Sequence, residues 1–331
     1  MSGVDVPDAS VVLVSFNTRN LLRECILTLH REVGGAKFET IVVDNASRDG
    51  SADMVATEFP TVRLIRSKIN LGFAAANNRA FDIARGRYIV LLNSDAFLQP
   101  GALRLSVEHM DANPQVGLAG GRLVGRNGSW QPSARLFPSP LNSLLTMSGL
   151  AAKFPKSRLL GRVDRSWADP LQPAPVDWVP GAYCIIRRSV LDQIGFFDER
   201  FFLYYEEVDL CRRVKAAQSE VWYWPDIVVE HLGGESAKKM KTLKIDQSGS
   251  QIELWRMRAQ LLYFRKHHGT LGAWSSMLLE KWWYRLRAYR NLRSNAAERS
   301  ARMADLESGI ATLKQAWRDT QGGKLSPSRP W

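Results

Sequence analysis

Carboxylates recur in this sequence at places where a fold could put them to chemical use. Tyr88-Ile-Val-Leu-Leu-Asn-Ser-Asp95 is a short apolar run that stops abruptly in two polar side chains and an acid. Its length and composition suit an inner strand of a parallel sheet. Ligands of open α/β sheets gather beyond the carboxyl ends of the strands, so Asp95 is positioned for work rather than for packing. Thr40-Ile-Val-Val-Asp44 repeats the pattern, and Asp44 can accept a hydrogen bond from a base N–H or cap the turn that follows. Glu206, Glu207 and Asp209 form an acidic cluster that can take a proton in a reaction or complement a helix dipole. His231, between Val228-Val229-Glu230 and Gly233-Gly234, is either a structural histidine or a ligand.

These groups need elements to carry them. Val11 to Phe16 reads as a strand, and Leu21 to His30 as a helix with Leu22, Ile26 and Leu29 on one face. The strand ending at Asp44 is followed by a turn dense in capping residues, Asn45 to Ser51, which opens a helix through Met54 and Val55. Val62 to Arg66 is a third strand, and an Ala-rich helix over Gly72 to Arg85 leads into the strand that carries Asp95. This alternation predicts a doubly wound parallel sheet. After Pro100 the pattern is mixed: a helix over Ala102 to Met110, strands over Gly117 to Val124, Asp177 to Arg187, Glu220 to Trp224 and Val228 to His231, and a loop-to-helix segment over Phe201 to Ala217. The Pro-punctuated stretch from Gln131 to Pro175 takes no assignment. A cut near residue 245 separates a domain over 1–245 from a helical extension over 246–320, and the Gly/Pro/Ser-rich stretch 321–331 reads as a flexible tail.

Composition narrows the partners. A net charge of +12 and a pI near 9.8 point to an anionic partner: nucleic acid, an acidic membrane or phosphorylated substrates. No nucleic-acid module accompanies the charge, which sets nucleic acid aside. Cys25, Cys184 and Cys211 are odd in number and far apart, so neither a disulfide framework nor a zinc site is expected, and a cytoplasmic location fits. The first ten residues lack the features of a signal peptide, and no run approaches the ~18 apolar residues of a membrane span. Membrane contact, where it occurs, is therefore peripheral. Its candidate is the stretch 272–295, where Leu278, Leu279, Trp282, Leu286, Tyr289 and Leu292 alternate with Lys281, Arg285, Arg287, Arg290 and Arg293. An interfacial helix and a helix packed on the catalytic domain or in a homodimer both have this composition. Lys238, Lys239, Lys241 and Lys244 read as a solvated loop or a lid that meets phosphates.

The first turn, Ser15-Phe16-Asn17-Thr18, has no glycine, which argues against a dinucleotide-binding fold with its Gly-x-Gly-x-x-Gly turn. Val14-Ser15-Phe16-Asn17, Val43-Asp44-Asn45-Ala46-Ser47-Arg48-Asp49-Gly50-Ser51, Asn70-Leu71-Gly72-Phe73-Ala74, Leu92-Asn93-Ser94-Asp95 and Phe202-Leu203-Tyr204-Tyr205-Glu206-Glu207-Val208-Asp209-Leu210 stand in colinear order. Together they resemble family 2 glycosyltransferases, most closely the bacterial rhamnosyltransferase-like members. The resemblance spans about Val11 to Gly234.

It implies a GT-A fold, a mixed α/β sheet flanked by helices, with a nucleotide-binding half over about 10–100 and an acceptor half over about 101–245. It also implies inverting transfer from a nucleoside diphosphate sugar. Ser15, Asn17, Asp44, Asn70, Asn78, Asn93, Asp95 and Trp178 would bind the nucleotide sugar, although Asn70 and Asn78 equally suit turn and cap roles and Trp178 equally suits core packing. Asp44 would read the imide of uracil or thymine, whose edges it cannot tell apart. Asp95 matches the last position of the Asp-x-Asp signature, whose first position here is Asn93. With His231 it would hold Mg2+ or Mn2+ against the diphosphate. Glu207, at a position where Asp is usual, would be the general base, with Glu206 and Asp209 as alternatives. The favoured reaction is transfer of L-rhamnose from dTDP-rhamnose to a lipid-linked saccharide acceptor in bacterial surface glycan synthesis. Its rivals are a UDP-hexose or UDP-N-acetylhexosamine transferase and a catalytically silent nucleotide-sugar or glycan-binding scaffold.

Overall fold

The computed structural model describes residues 6–31, 36–233, 248–291 and 296–327. The lysine-rich stretch 238–244, Leu292 and Arg293 lie outside the described residues. The first half is the expected alternation: β1 (Ala9–Ser15), α1 (Arg19–Arg31), β2 (Phe38–Asp44), α2 (Ser51–Glu58), β3 (Arg63–Arg66), α3 (Gly72–Phe81) and β4 (Tyr88–Leu92). These strands run parallel in the order β3-β2-β1-β4. Every residue of β4 is buried, as an inner strand requires.

The remainder is β5 (Ala96–Leu98), α4 (Ala102–Ala112), β6 (Val116–Val124), β7 (Trp130–Gln131), α5 (Pro140–Met147), α6 (Leu150–Lys153), β8 (Ala174–Pro175), β9 (Tyr183–Arg187), α7 (Arg188–Ile194), α8 (Glu206–Ala216), β10 (Glu220–His231), α9 (Ser248–Asn291) and α10 (Ala296–Asp319). The sheet continues past β4 as β9-β6-β10-β5, with β9 antiparallel to both neighbours and β5 antiparallel to β10. The sheet is thus mixed, as a GT-A fold has it, and the doubly wound parallel pattern holds only for its first half. Several expected boundaries shift. β4 ends at Leu92, and Asn93 to Asp95 form a turn closed by Ala96 N–H on the Asn93 carbonyl (3.0 Å). The two late strands are one, β10, whose pairing with β6 slips between Trp224 and Val228 around Pro225, which lacks the N–H a ladder needs. The unassigned Pro-rich stretch supplies β7, β8 and two short helices.

Alternation along β1 and β2 sorts the core into two layers. Val11 and Leu13 pack with Leu22, Ile26 and Leu29 of α1. Val12, Ile41 and Val43 face Ala74, Ala76 and Ala80 of α3, and the same layer takes in Tyr263 and Phe264 of α9. The helical extension therefore shares the core of the sheet. Gly269 (φ 70°, ψ −167°) interrupts α9 in a conformation that favours glycine. Its two halves fold back on each other: Gln260 Nε2 donates to Ser276 Oγ at 2.9 Å, and Arg256 pairs with Glu280 at 2.6 Å. Leu313 and Ala316 of α10 close on Leu254, Met257 and Leu261. The expectation of a flexible tail from residue 321 is corrected at its start. Gly322 and Gly323 are buried in a turn held by Lys324 N–H on the Thr320 carbonyl (2.8 Å), and a Cβ on Gly323 would stand 2.2 Å from the Leu261 carbonyl oxygen.

Candidate active site

Sheet register brings Asp95 and His231 together. β5 pairs with the end of β10 so that Ala96 lies opposite His231, and His231 Nε2 stands 3.6 Å from Asp95 Oδ1. Gln131 sets the imidazole. Its Nε2 donates to the His231 carbonyl at 2.8 Å, which turns its Oε1 toward His231 Nδ1 at 2.9 Å. Nδ1 must then carry the proton, so in the neutral ring Nε2 keeps its lone pair. Burial lowers the His231 pKa against the opposing pull of Asp95, favouring that neutral ring. Nε2 is buried with no hydrogen-bond partner among the described residues. An imidazole fixed from behind, with an unspent lone pair beside a carboxylate, fits one side of a divalent-cation site. No cluster of three or more His, Cys, Asp or Glu suited to a metal gathers among the described residues, so such a cation would need oxygens from its ligand.

The other strand ends are built as firmly. Asp44 Oδ2 accepts the Ser47 N–H at 3.1 Å, capping the turn, while its Oδ1 is buried without a partner among the described residues. Burial, only partly offset by Ser47, raises the Asp44 pKa. Asn45 and Asn70 lock the neighbouring turns: Asn45 Nδ2 donates to Asn70 Oδ1 (2.8 Å), Asn70 Oδ1 accepts the Gly72 N–H (2.9 Å), and Asn45 Oδ1 accepts the Leu71 N–H (2.7 Å). Gly72 (φ +82°) lets the segment before α8 approach closely, since a Cβ there would lie 2.4 Å from the Phe202 carbonyl oxygen. Phe73 N–H binds that same oxygen at 2.8 Å.

That contact positions the acidic cluster. Tyr204 (φ 73°) and Tyr205 (φ 69°) are both left-handed, a costly conformation for bulky residues that tends to mark functional sites. The helix then begins at Glu206, with Glu207 one residue on. Glu206 is buried, Glu207 half-buried, and each has an Oε2 shielded from solvent without a partner among the described residues. Burial, reinforced by the neighbouring Glu207 charge, pushes Glu206 well above the usual carboxylate range. Burial raises Glu207 too, while backbone N–H groups and Arg135 pull it back. Two adjacent buried carboxyls whose proton affinities are both raised are an arrangement acid–base catalysis uses. A cavity of about 350 Å³ runs from Asp95 and His231 past Asn70 to Glu206 and Glu207. A second, of about 570 Å³, lies between α5, α9 and the segment before α8. Tyr204 and Glu207 line both.

The family model for glycosyl transferase family 2 matches residues 10–195, more than half of the chain. The chain belongs to glycosyl transferase family 2. An N-acetylglucosaminyl-diphospho-decaprenol L-rhamnosyltransferase of Mycobacterium tuberculosis is 29% identical over 202 residues, covering 58% of this chain and 65% of the relative. The low-salt glycan biosynthesis hexosyltransferase Agl10 of Haloferax volcanii is 27% identical over 214 residues, covering 63% and 62%. The chain thus spans just under two thirds of these relatives' lengths. Among solved structures, the mannosyltransferase PcManGT from Pyrobaculum calidifontis, in complex with GDP-Man and Mn2+, matches with a TM-score of 0.51 at 17% identity, over 96% of this chain and 76% of that one. GalNAc-T7 with UDP, GalNAc and Mn2+ matches at 0.50 and 12%, over 78% and 52%. These likenesses are ones of fold, and the architecture is that of GT-A glycosyltransferases.

Within this family 2 chain the structure gathers only part of the predicted set. Asn70, Asn93, Asp95, Glu206, Glu207 and His231 line the smaller cavity. Ser15 and Asn17 brace it from behind. Ser15 Oγ and Ser94 Oγ both contact Thr18 Oγ1 (3.0 and 2.9 Å), and Asn17 Oδ1 accepts the Arg48 N–H (2.7 Å). Asn78 is not at the cavity: its side chain bonds to the backbone of Phe197 and to Glu199, stapling α3 to the loop after α7. Asp209 is also corrected. Its position on α8 turns it into the protein, where it is fully buried against Arg213 (2.8 Å), Lys266 and His267 (both 2.7 Å). Burial pushes its carboxyl up, but His267, Arg213 and Lys266 more than offset that and hold it below the usual range. Trp178 lines the larger cavity instead of the smaller, with Nε1 donating to the Leu136 carbonyl (2.9 Å) and Arg135 over its ring at 4.6 Å. Sequence reasoning missed Asn45, Gln131, Arg135, Asn142 and Trp255. Asn45 stands inside a quoted motif, next to Asp44. The others lie in the unassigned stretch or in the extension, where no local pattern marks them.

Proposed function

We propose that the protein is an inverting, divalent-cation-dependent transferase that moves a sugar from a pyrimidine nucleoside diphosphate to a lipid-linked saccharide in the building of a bacterial surface glycan. The favoured donor is dTDP-L-rhamnose. The observation that carries this reading is Glu207, which lines both cavities and whose Oε2 is buried without a hydrogen-bond partner among the described residues. In the reaction Glu207 takes the proton of the acceptor hydroxyl as that oxygen bonds to C1 of the donor sugar from the face opposite the diphosphate. The C1–O bond to the diphosphate breaks with its electron pair. Glu206, the more deeply buried of the pair, lies beside Glu207 without reaching the larger cavity. Asp44 Oδ1 accepts the N3–H of the base, and the Asn45–Asn70 lock holds the turn beside it. Asp95 and His231 would hold Mg2+ or Mn2+. When bound, the cation supplies positive charge against the departing diphosphate. The solved relatives with Mn2+ support that choice of group, and the mycobacterial rhamnosyltransferase supports the donor and the lipid-linked acceptor. A UDP-hexose donor is the second reading, favoured by the Haloferax hexosyltransferase and by an Asp44 that reads uracil and thymine alike. Glu207, Glu206 and His231, all with unspent buried atoms, argue against a silent scaffold.

Thermal protection across a panel of nucleotide sugars with Mn2+ tests this. dTDP- and UDP-sugars should protect, and protection by purine nucleotides alone would reject the pyrimidine reading. No helix among the described residues is long and apolar enough to cross a membrane. The second half of α9 instead divides its faces: Ala273 and Met277 pack inward, while Trp274 (51%) and Trp282 (53%) stand exposed beside Leu271 and Leu278. Lys281 and Arg285 accompany them. We read this face as a seat on an anionic lipid surface, where the acceptor resides. The protein should float with vesicles containing phosphatidylglycerol, and Trp274→Ser with Trp282→Ser should abolish flotation. Unchanged flotation would discard this role for the helix.

A further inference from the structure

We infer that the larger cavity is where the acceptor saccharide is read and that Asn142 is a residue that reads it, an inference that rests on the transferase reading above. Asn142 lies in the first turn of α5, is 4% exposed and lines that cavity. Its Nδ2 donates to the Phe137 carbonyl at 2.8 Å. The opposite amide orientation would set oxygen against oxygen, so Oδ1 is the free end, and it is buried without a partner among the described residues. A buried carbonyl oxygen left unpaired is costly, and a hydroxyl donor from a ligand removes that cost. The rest of the chamber suits a sugar: Trp178, Trp283 and Tyr284 line it, and aromatic side chains pack well against the C–H groups of a pyranose. The wall they form is held in place, since Arg256 and Glu280 bind across the α9 fold-back at 2.6 Å. The volume of about 570 Å³ falls within the range of small-molecule sites. Glu207 opens onto the chamber, so a hydroxyl of a saccharide held by Asn142 has the base within the same space.

The inference separates acceptor recognition from donor chemistry. Donor hydrolysis to water needs the smaller cavity alone, whereas transfer needs both. Full-length wild type, Asn142→Leu and Asn142→Asp should be compared for hydrolysis of dTDP- and UDP-sugars and for transfer to a panel of prenyl-diphosphate and aryl glycosides. Both variants lose the Nδ2 bond to Phe137, but Asn142→Asp in its protonated form can donate to the Phe137 carbonyl in its place and keep a second oxygen as acceptor. Asn142→Leu should raise the acceptor KM about tenfold, the worth of one hydrogen bond, with donor hydrolysis unchanged. Asn142→Asp should recover part of that loss at acidic pH, where its carboxyl carries the proton that the Phe137 carbonyl accepts. An unchanged KM in Asn142→Leu, an equal fall in hydrolysis and transfer, or equal KM in the two variants at acidic pH overturns the role of Asn142. Should either variant fold poorly, monodeoxy acceptors with wild type carry the test: one deoxygenation should raise KM about tenfold, and uniform KM across the series overturns the inference. Wild type that neither hydrolyses nor transfers from any pyrimidine nucleotide sugar removes the transferase reading itself, and the inference with it.

Discussion

Glu207→Gln should lower sugar transfer by about 10²–10⁴-fold while leaving nucleotide-sugar affinity nearly unchanged. Gln fills the same space and can still hydrogen-bond, but it cannot accept the proton that the attacking hydroxyl must lose. The pH dependence carries the same signature. Burial raises the Glu207 pKa, and its conjugate base is the active form, so transfer by the wild type should climb with pH along a limb placed above the ordinary Glu range. Glu206, raised by burial and by the Glu207 charge, loses the second of these causes in Glu207→Gln, so Glu206→Gln is the control that separates the two carboxyls. Stability should move the opposite way. A carboxyl whose folded pKa is raised contributes stability that is complete below its unfolded value, about 4.3, and is lost as pH rises through the folded value. Glu207→Gln removes one such group, so its melting temperature should decline less than the wild type's between acid and neutral pH. Turnover retained by Glu207→Gln would move the base to another group.

The parts of the site that were legible in the sequence are those set by local pattern. Asp44 and Asp95 each close a strand whose apolar run predicts burial, and the glycine and asparagine turns beside them have few other readings. What could not be read is what only register and distant packing create. Asp95 meets His231 because β5 pairs with β10, and β5 is three residues that look like the continuation of β4. Gln131 lies in a stretch with no periodicity, yet it alone fixes the His231 tautomer among the described residues. Asp209 shows the converse error. In sequence it is indistinguishable from Glu207, but two residues along a helix turn a side chain by about 200°, which sends it to Arg213, Lys266 and His267 instead of the cavity. The amphipathic stretch in α9 offered interfacial and packed readings as alternatives; the structure packs one face, with Ala273 and Met277 inward, and leaves Trp274 and Trp282 exposed on the other.

Asp95→Asn should reduce transfer by at least about 10²-fold, and the loss should originate in metal binding. Position 93 already carries a neutral amide, so of the residues at the turn after β4 only Asp95 brings a formal charge to the cavity where His231 Nε2 waits. A hard divalent cation draws most of its affinity from anionic oxygens, and an amide in place of Asp95 leaves His231 and neutral donors on the protein side. Mn2+ titration followed by electron paramagnetic resonance, in the presence of dTDP or UDP, should therefore show much weaker binding to Asp95→Asn. If the base is held by Asp44 as proposed, away from the diphosphate end, affinity for the free nucleoside should stay close to wild type. Asn93→Asp tests the same logic in the opposite direction: an added carboxylate on the same turn should tighten Mn2+ binding. Unaltered Mn2+ affinity in Asp95→Asn would place the cation elsewhere and leave Asp95 as a structural residue of the turn before β5.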